Sequence, residues 1–378
     1  MNLAHTRHAL YLVVLLTGGL AGARADTRLN GHHASFYRQT NLISDIAGVA
    51  LNTDPNLVNP WGIAVNPHGP IWIADNGTGL SSVVDNNGNP LPSEASPLVV
   101  TIAPPAGSPA DATAAPTGTV FNGSNSFVVM EGNKSGPARF LFATEDGTVS
   151  GWNPSVDLTN SVLGFDNSNA PAGAVYKGLA LGHNAHGDHI YLTNFHTGMV
   201  DVLDSGFHLV STPGGFTDSS VPAGYAPFGI QNVGGKLFVT YAKQNAARHD
   251  DVGGPGNGYI DVFDTDGQLL HHFASQGALN SPWGLAVAPH NFGRLGGSLL
   301  VGNFGDGRIN AYDINTGAWL GALMDFRNRP IAIEGLWGLA FGVPMNERDN
   351  DEQAPLLFTA GIAHEAHGLF GKIEAARR

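Results

Sequence analysis

The chain has 378 residues, with 51 glycines, 23 prolines, no cysteine and a formal charge of −13. Disulfide-stapled folds, zinc–thiolate sites and cysteine nucleophiles are thereby excluded, and so acidic a surface repels a phosphate backbone, which argues against nucleic acid as a partner. With 42% hydrophobic and only 13% charged residues, the composition suits many short strands joined by tight turns around an ample core.

The first element in chain order reads as an export signal. Arg7 precedes the 14-residue apolar stretch ALYLVVLLTGGLAG, and Ala23-Arg24-Ala25 supplies a small-x-small cleavage pattern. Residues 1–25 are expected to be removed, which places residues 26–378 in the periplasm or outside the cell. Cleavage takes away Arg7 and Arg24 and no acid, so 16 basic against 31 acidic side chains leave a charge of −15. No later segment reaches the roughly 20 apolar residues that a membrane span needs, so no integral membrane segment is expected.

From residue 57 onward the chain repeats itself. A glycine at the start of an apolar run recurs in Trp61-Gly62-Ile63, Thr117-Gly118-Thr119, Lys177-Gly178-Leu179, Phe228-Gly229-Ile230, Trp283-Gly284-Leu285 and Trp337-Gly338-Leu339. These glycines are 56, 60, 51, 55 and 54 residues apart, and a period of that size filled with strand signals marks one unit repeated around an axis. Each unit continues with a second apolar run, as in IWIADN, FLFATEDG and LLVGNFGDG, and a third after a turn, as in MVDVLDSG and YIDVFDTDG. The Asp and Gly residues closing these runs suit hairpin turns. Fourth strands are expected at LVVTIA, LLHHFA and WLGALMD. Six units of four antiparallel strands make an all-β, six-bladed β-propeller. The sixth unit ends one strand short, and FYRQTNLISDI at 36–46 is predicted to complete it by pairing near Phe370 to Ile373, removing two exposed sheet edges.

The stretches NPWGIAV, SPWGLAVAP, LLVGNFGDGRINAYD, FVTYAKQNAARHDDVGGPGNGYIDVFD and FTAGIAHEAHGLFG resemble an uncharacterised family of exported bacterial proteins related to NHL-repeat propellers. The resemblance extends over nearly all of residues 26–378. It implies a fold and an export route, and no particular reaction.

Candidate function follows from propeller geometry. Residues just before each innermost strand and those in the turn between second and third strands belong to one face, where ligands of propellers gather. This brings Trp61, Lys177, Trp283, Glu334 and Trp337 to a channel mouth together with the turn residues Asp75, Glu145, Asn194, His196, Asn303 and His367. Asp75, Glu145, Asn194 and Asn303 offer oxygen to a hard cation such as Ca²⁺, or they serve their own hairpins. His196 and His367, from different blades, offer nitrogen to Zn²⁺, or they are solvated loop residues. The three tryptophans either pack between blades or form an aromatic platform for a flat ligand. The long insertion at 241–258 adds Lys243, Gln244, His249 and Asp250 as ligand-contacting candidates. The preferred reading is a binding module for a small molecule, a polysaccharide or another exported protein. The alternative is a metal-assisted lactonase, hydrolase or lyase in which Lys177 or Glu334 acts as acid or base. Gly-x-Ser-x-Gly does not occur, so triad chemistry has no support.

Overall fold

Six antiparallel sheets follow one another in the computed structural model, which describes residues 36–67, 69–343 and 354–377. The export signal expected over residues 1–25 lies outside these residues. The first five blades start from the innermost strands Pro60–Val65, Pro116–Phe121, Tyr176–Asn184, Tyr225–Val233 and Pro282–Val287, and each runs outward through three more strands. All three fourth strands expected from sequence are present, at Val99–Thr101, Leu269–Ser275 and Trp319–Ala322. Blades two and three complete themselves with Val162–Asp166 and Leu209–Val210, and blade two also carries a hairpin, Val128–Glu131 with Lys134–Pro137. No α-helix occurs among the described residues.

Blade six is assembled from both ends of the chain. Its strands Leu336–Phe341, Leu356–Ile362 and His367–Ala376 are followed outward by Phe36–Ser44. Gln39 pairs with Ile373, Asn41 with Gly371 and Ile43 with Phe370, in antiparallel register. The same segment also reaches blade five: Tyr37 N–H donates to the carbonyl of Met324 at 2.8 Å, and its hydroxyl donates to the carbonyl of Phe292 at 3.1 Å. The expected closure is therefore present, with a second anchor on the neighbouring blade.

The repeated glycines are explained by crowding at the axis. A Cβ on Gly62 would stand 2.5 Å from the carbonyl oxygen of Thr117, one on Gly229 2.2 Å from that of Trp283, and one on Gly284 2.4 Å from that of Trp337. Each glycine thus admits the backbone of the next innermost strand. Threonine hydroxyls bridge the same seams: Thr117 donates to Tyr176 O at 2.8 Å, Thr193 to Phe228 O at 2.7 Å and Thr240 to Pro282 O at 2.6 Å. Farther out, large side chains fill the gaps between blades, as where Trp72 of blade one stacks on Phe140 of blade two with centroids 4.2 Å apart.

Candidate functional site

The residues preceding the axial glycines converge at one end of the channel. Asn59, Ser281 and Gly335 each adopt a left-handed φ, between 45° and 64°, which turns the chain inward two residues before Trp61, Trp283 and Trp337. All three indoles are buried. Trp61 and Trp337 stack with centroids 3.5 Å apart, Trp283 meets them edge-on at 6.1 and 5.7 Å, and Phe304 stacks on Trp337 at 4.0 Å. Trp283 Nε1 donates to the carbonyl of Lys177 and Trp337 Nε1 to Asn59 Oδ1. The tryptophans therefore pack against each other in a plug built from blades one, five and six.

A charged network lies against this plug. Lys177 Nζ sits 5.0 Å from the Trp61 ring centroid, a cation–π arrangement, and its side chain is only 3% exposed. Its ammonium pairs with Glu145 of blade two and lies 3.7 Å from Asp250 Oδ1 of the long blade-four loop. Asn76 Nδ2 donates to the other Glu145 oxygen at 3.0 Å, and Asn59 donates to Asn76 at 3.2 Å, so blades one to four are linked. His249 Nδ1 approaches Asp250 Oδ1 at 2.7 Å. Although partial burial opposes it, the hydrogen bond from His249 and the charge of Lys177 hold the Asp250 carboxyl below its usual range. Donor atoms of Glu145, His249 and Asp250 lie within 4.8 Å of one another, a spacing compatible with a metal ion. Lys177, however, already places a positive charge against both carboxylates.

Beside the network, a cleft of about 620 Å³ opens between blades four, five and six. Asp251, Asp306, Glu334 and Glu365 line it together with His364, Phe304 and several glycines, and among the described residues its lining contains neither lysine nor arginine. Burial raises the Glu365 carboxyl to about 7; Glu145 and the two loop aspartates add to the rise and Lys177 opposes it. Burial likewise raises Asp251. Glu334 Oε1 accepts from the backbone N–H of His364 at 3.2 Å, joining two loops of the cleft wall.

Most of the turn residues considered for a metal serve their own blades. Asp75 is fully buried and accepts from Ser82 Oγ at 2.6 Å. Asn194 donates to Asp201 at 3.0 Å, and Asn303 to Ala278 O at 2.8 Å and to Asp306 at 3.1 Å. His367 Nδ1 lies 2.6 Å from Asp45 Oδ2, and the His196 ring packs over Gly173. Glu145 is the member of this set that meets residues of another blade at the mouth. Gln244 donates to Phe195 O at 2.5 Å, and Lys243 is exposed at the end of its strand. Phe304 gave no sequence signal, because its position in a turn resembles that of the neighbouring polar residues; only its stacking on Trp337 assigns it to the site.

Among curated proteins, "Uncharacterized protein R648" of Acanthamoeba polyphaga mimivirus is 35% identical to this chain over 336 residues, covering 88% of the chain and 78% of the viral protein. A second mimivirus protein, "Uncharacterized protein L690", is 35% identical over 304 residues, covering 79% and 77%. The chain belongs to the family of these viral proteins. They lend no support to the bacterial origin expected for the family. No protein-family model matches the chain. Among solved structures, the soluble aldose sugar dehydrogenase of Escherichia coli in its apo-form is 14% identical, with 90% of this chain and 99% of that one covered and a TM-score of 0.50. At that identity the likeness concerns the propeller fold.

Proposed function

We propose that the protein is an exported binding propeller whose mouth cleft captures a ligand rich in hydrogen-bond donors, such as a sugar unit of a polysaccharide or a small amine. The observation that carries this reading is the lining: four carboxylates, an aromatic wall at Phe304 and, among the described residues, no lysine or arginine. Carboxylates accept from hydroxyl and ammonium groups and repel anions, while the glycine-rich wall lets a ligand come close to the backbone. Rigid blades hold these loops in place before any ligand arrives, which limits the entropy lost on binding. Calorimetric titration with neutral oligosaccharides and with polyamines tests the reading, using Asp306→Asn and Glu334→Gln as cleft variants. One of the two ligand classes should bind, with affinity reduced about tenfold or more in the variants. No binding by either class, or binding indifferent to both substitutions, overturns the proposal.

One observation favours a catalytic second reading. A carboxyl raised to about 7 at the edge of a cleft is suited to both giving and taking a proton at neutral pH. Glu365 would then be the acid or base, with Lys177 setting its charge environment, and Ca²⁺ or Zn²⁺ at Glu145, His249 and Asp250 would polarise a substrate oxygen. Turnover of a lactone or glycoside that is abolished in Glu365→Gln and unchanged in Lys243→Ala would establish it.

A further inference from the structure

Blade four contains a second polar cluster, made of residues other than those at the mouth. The third strand of each of the first five blades carries a polar residue at one equivalent position: Ser82, Ser150, Asp201, Asp261 and Asn310. In blade three this residue is satisfied by neutral donors, because Tyr176 Oη donates to Asp201 Oδ2 at 2.9 Å and Asn194 Nδ2 donates to the same oxygen at 3.0 Å. In blade four the surroundings differ. Asp261 is fully buried, and its Oδ1 lies 2.6 Å from Nδ1 of His272 on the outermost strand. The connection from blade three adds a second carboxylate, with Asp218 Oδ2 3.2 Å from that same nitrogen.

A single imidazole N–H thus faces two carboxylates, while the buried Asp261 Oδ2 has no partner at close hydrogen-bonding geometry among the described residues. The hydroxyl of Tyr241, 5% exposed, is the buried donor that lies beside Asp261. Even with that hydroxyl, two carboxylates share one imidazole nitrogen, at 2.6 and 3.2 Å. A serine fixes the second acid: Ser220 donates to Asp218 through both its backbone N–H and its hydroxyl, at 2.7 Å each.

We propose that Asp218, Asp261 and His272 form a binding site for a divalent transition-metal ion, of which Zn²⁺ is the best match. The donor atoms lie within 4.8 Å of one another, and two carboxylate oxygens with one imidazole nitrogen suit Zn²⁺ better than Ca²⁺ or Mg²⁺, which prefer oxygen alone. Binding displaces the proton held between His272 and the acids, neutralises the two carboxylates, and ties the connection at residue 218 to the outer strands of blade four.

The test is a Zn²⁺ competition titration of the chelator-treated full chain against a chromophoric chelator, repeated on Asp218→Asn and His272→Gln after circular dichroism has shown each to be folded. One equivalent should bind, weakened about 100-fold in either variant, while His186→Gln and His208→Gln, at exposed histidines, leave it unchanged. X-ray absorption at the zinc edge of the wild-type protein should show one imidazole and otherwise oxygen. This second readout decides the matter if a variant fails to fold. Failure to bind Zn²⁺, affinity unchanged in both the Asp218 and the His272 variants, or two or more imidazoles at the ion would overturn the assignment.

Discussion

The carbonyl oxygen of Trp61 lies 2.5 Å from the point where a Cβ on Gly338 would stand. That contact joins the sixth blade to the first and completes the ring of glycine-to-backbone contacts around the axis. The other obstacles are the Thr359 hydroxyl, 2.6 Å away and itself donating to that carbonyl, and Ile63 Cγ1 at 3.0 Å. Gly338→Ala should therefore force two blades apart and cost about 3 kcal/mol or more, at the upper end of overpacking penalties. Chemical denaturation checks this; a loss below about 1 kcal/mol would show that the ring gives way easily.

How much of this was legible in the sequence differs between the fold and the site. The glycine period and the unfinished sixth blade are local patterns, so the six blades and the closure by residues 36–46 could be read from the chain alone. Short outer strands such as Leu209–Val210 escaped because two residues carry no periodicity. At the mouth, Lys177 and Glu145 were both identified, yet nothing in their spacing tells that they pair, since blade stagger fixes contacts between turns of different blades. The cluster of Asp218, Asp261 and His272 was invisible for the same reason. Its members come from a connection and two strands, and Asp261 looks in sequence like an ordinary strand residue of YIDVFD.

Lys177 counters the charge of Glu145 and Asp250 from a nearly solvent-free position. Removing the ammonium leaves Glu145 half-enclosed with only amide donors, so Lys177→Met should destabilise the protein by about 3 kcal/mol. The double variant Lys177→Met with Glu145→Gln should regain much of that loss, because neither charge is then left alone. Denaturation midpoints of the four proteins of this cycle give the coupling directly. Strict additivity would mean that the pair is energetically inert.

The strand Phe36–Ser44 covers the edge of His367–Ala376 and is anchored to blade five through Tyr37. A chain starting at residue 47 should expose that edge and part of the core beside Tyr37, where Phe292 and Leu295 are buried. Uncovered strand edges pair with other chains. Loss of a cooperative thermal transition, or concentration-dependent association in sedimentation, is expected for the truncated protein, and addition of a peptide covering residues 36–46 should reverse it. A monomeric truncated chain with unchanged melting would show that the closure is dispensable.

Glu365 leads to a prediction with a definite sign in pH. Its carboxyl titrates at about 7 in the folded protein against an ordinary value of 4.5, so between these values the folded state holds a proton that the unfolded chain has released. Stability attributable to this group therefore falls as pH rises from about 4.5 to 7, and is level on either side. Glu365→Gln removes the effect. Variant and wild type should be equally sensitive to denaturant near pH 4, and the variant should become the more stable of the two above pH 7. The full difference is at most about 3 kcal/mol, lessened by solvent screening of a partly exposed side chain. The groups around the carboxyl, Glu145, Lys177, Asp250 and Asp251, are common to both proteins, so their own titration cancels to first order in the comparison. A constant offset between the two stability curves from pH 4 to 8 would show that Glu365 titrates alike in the folded and unfolded chain and would remove the basis for assigning it a proton-transfer role.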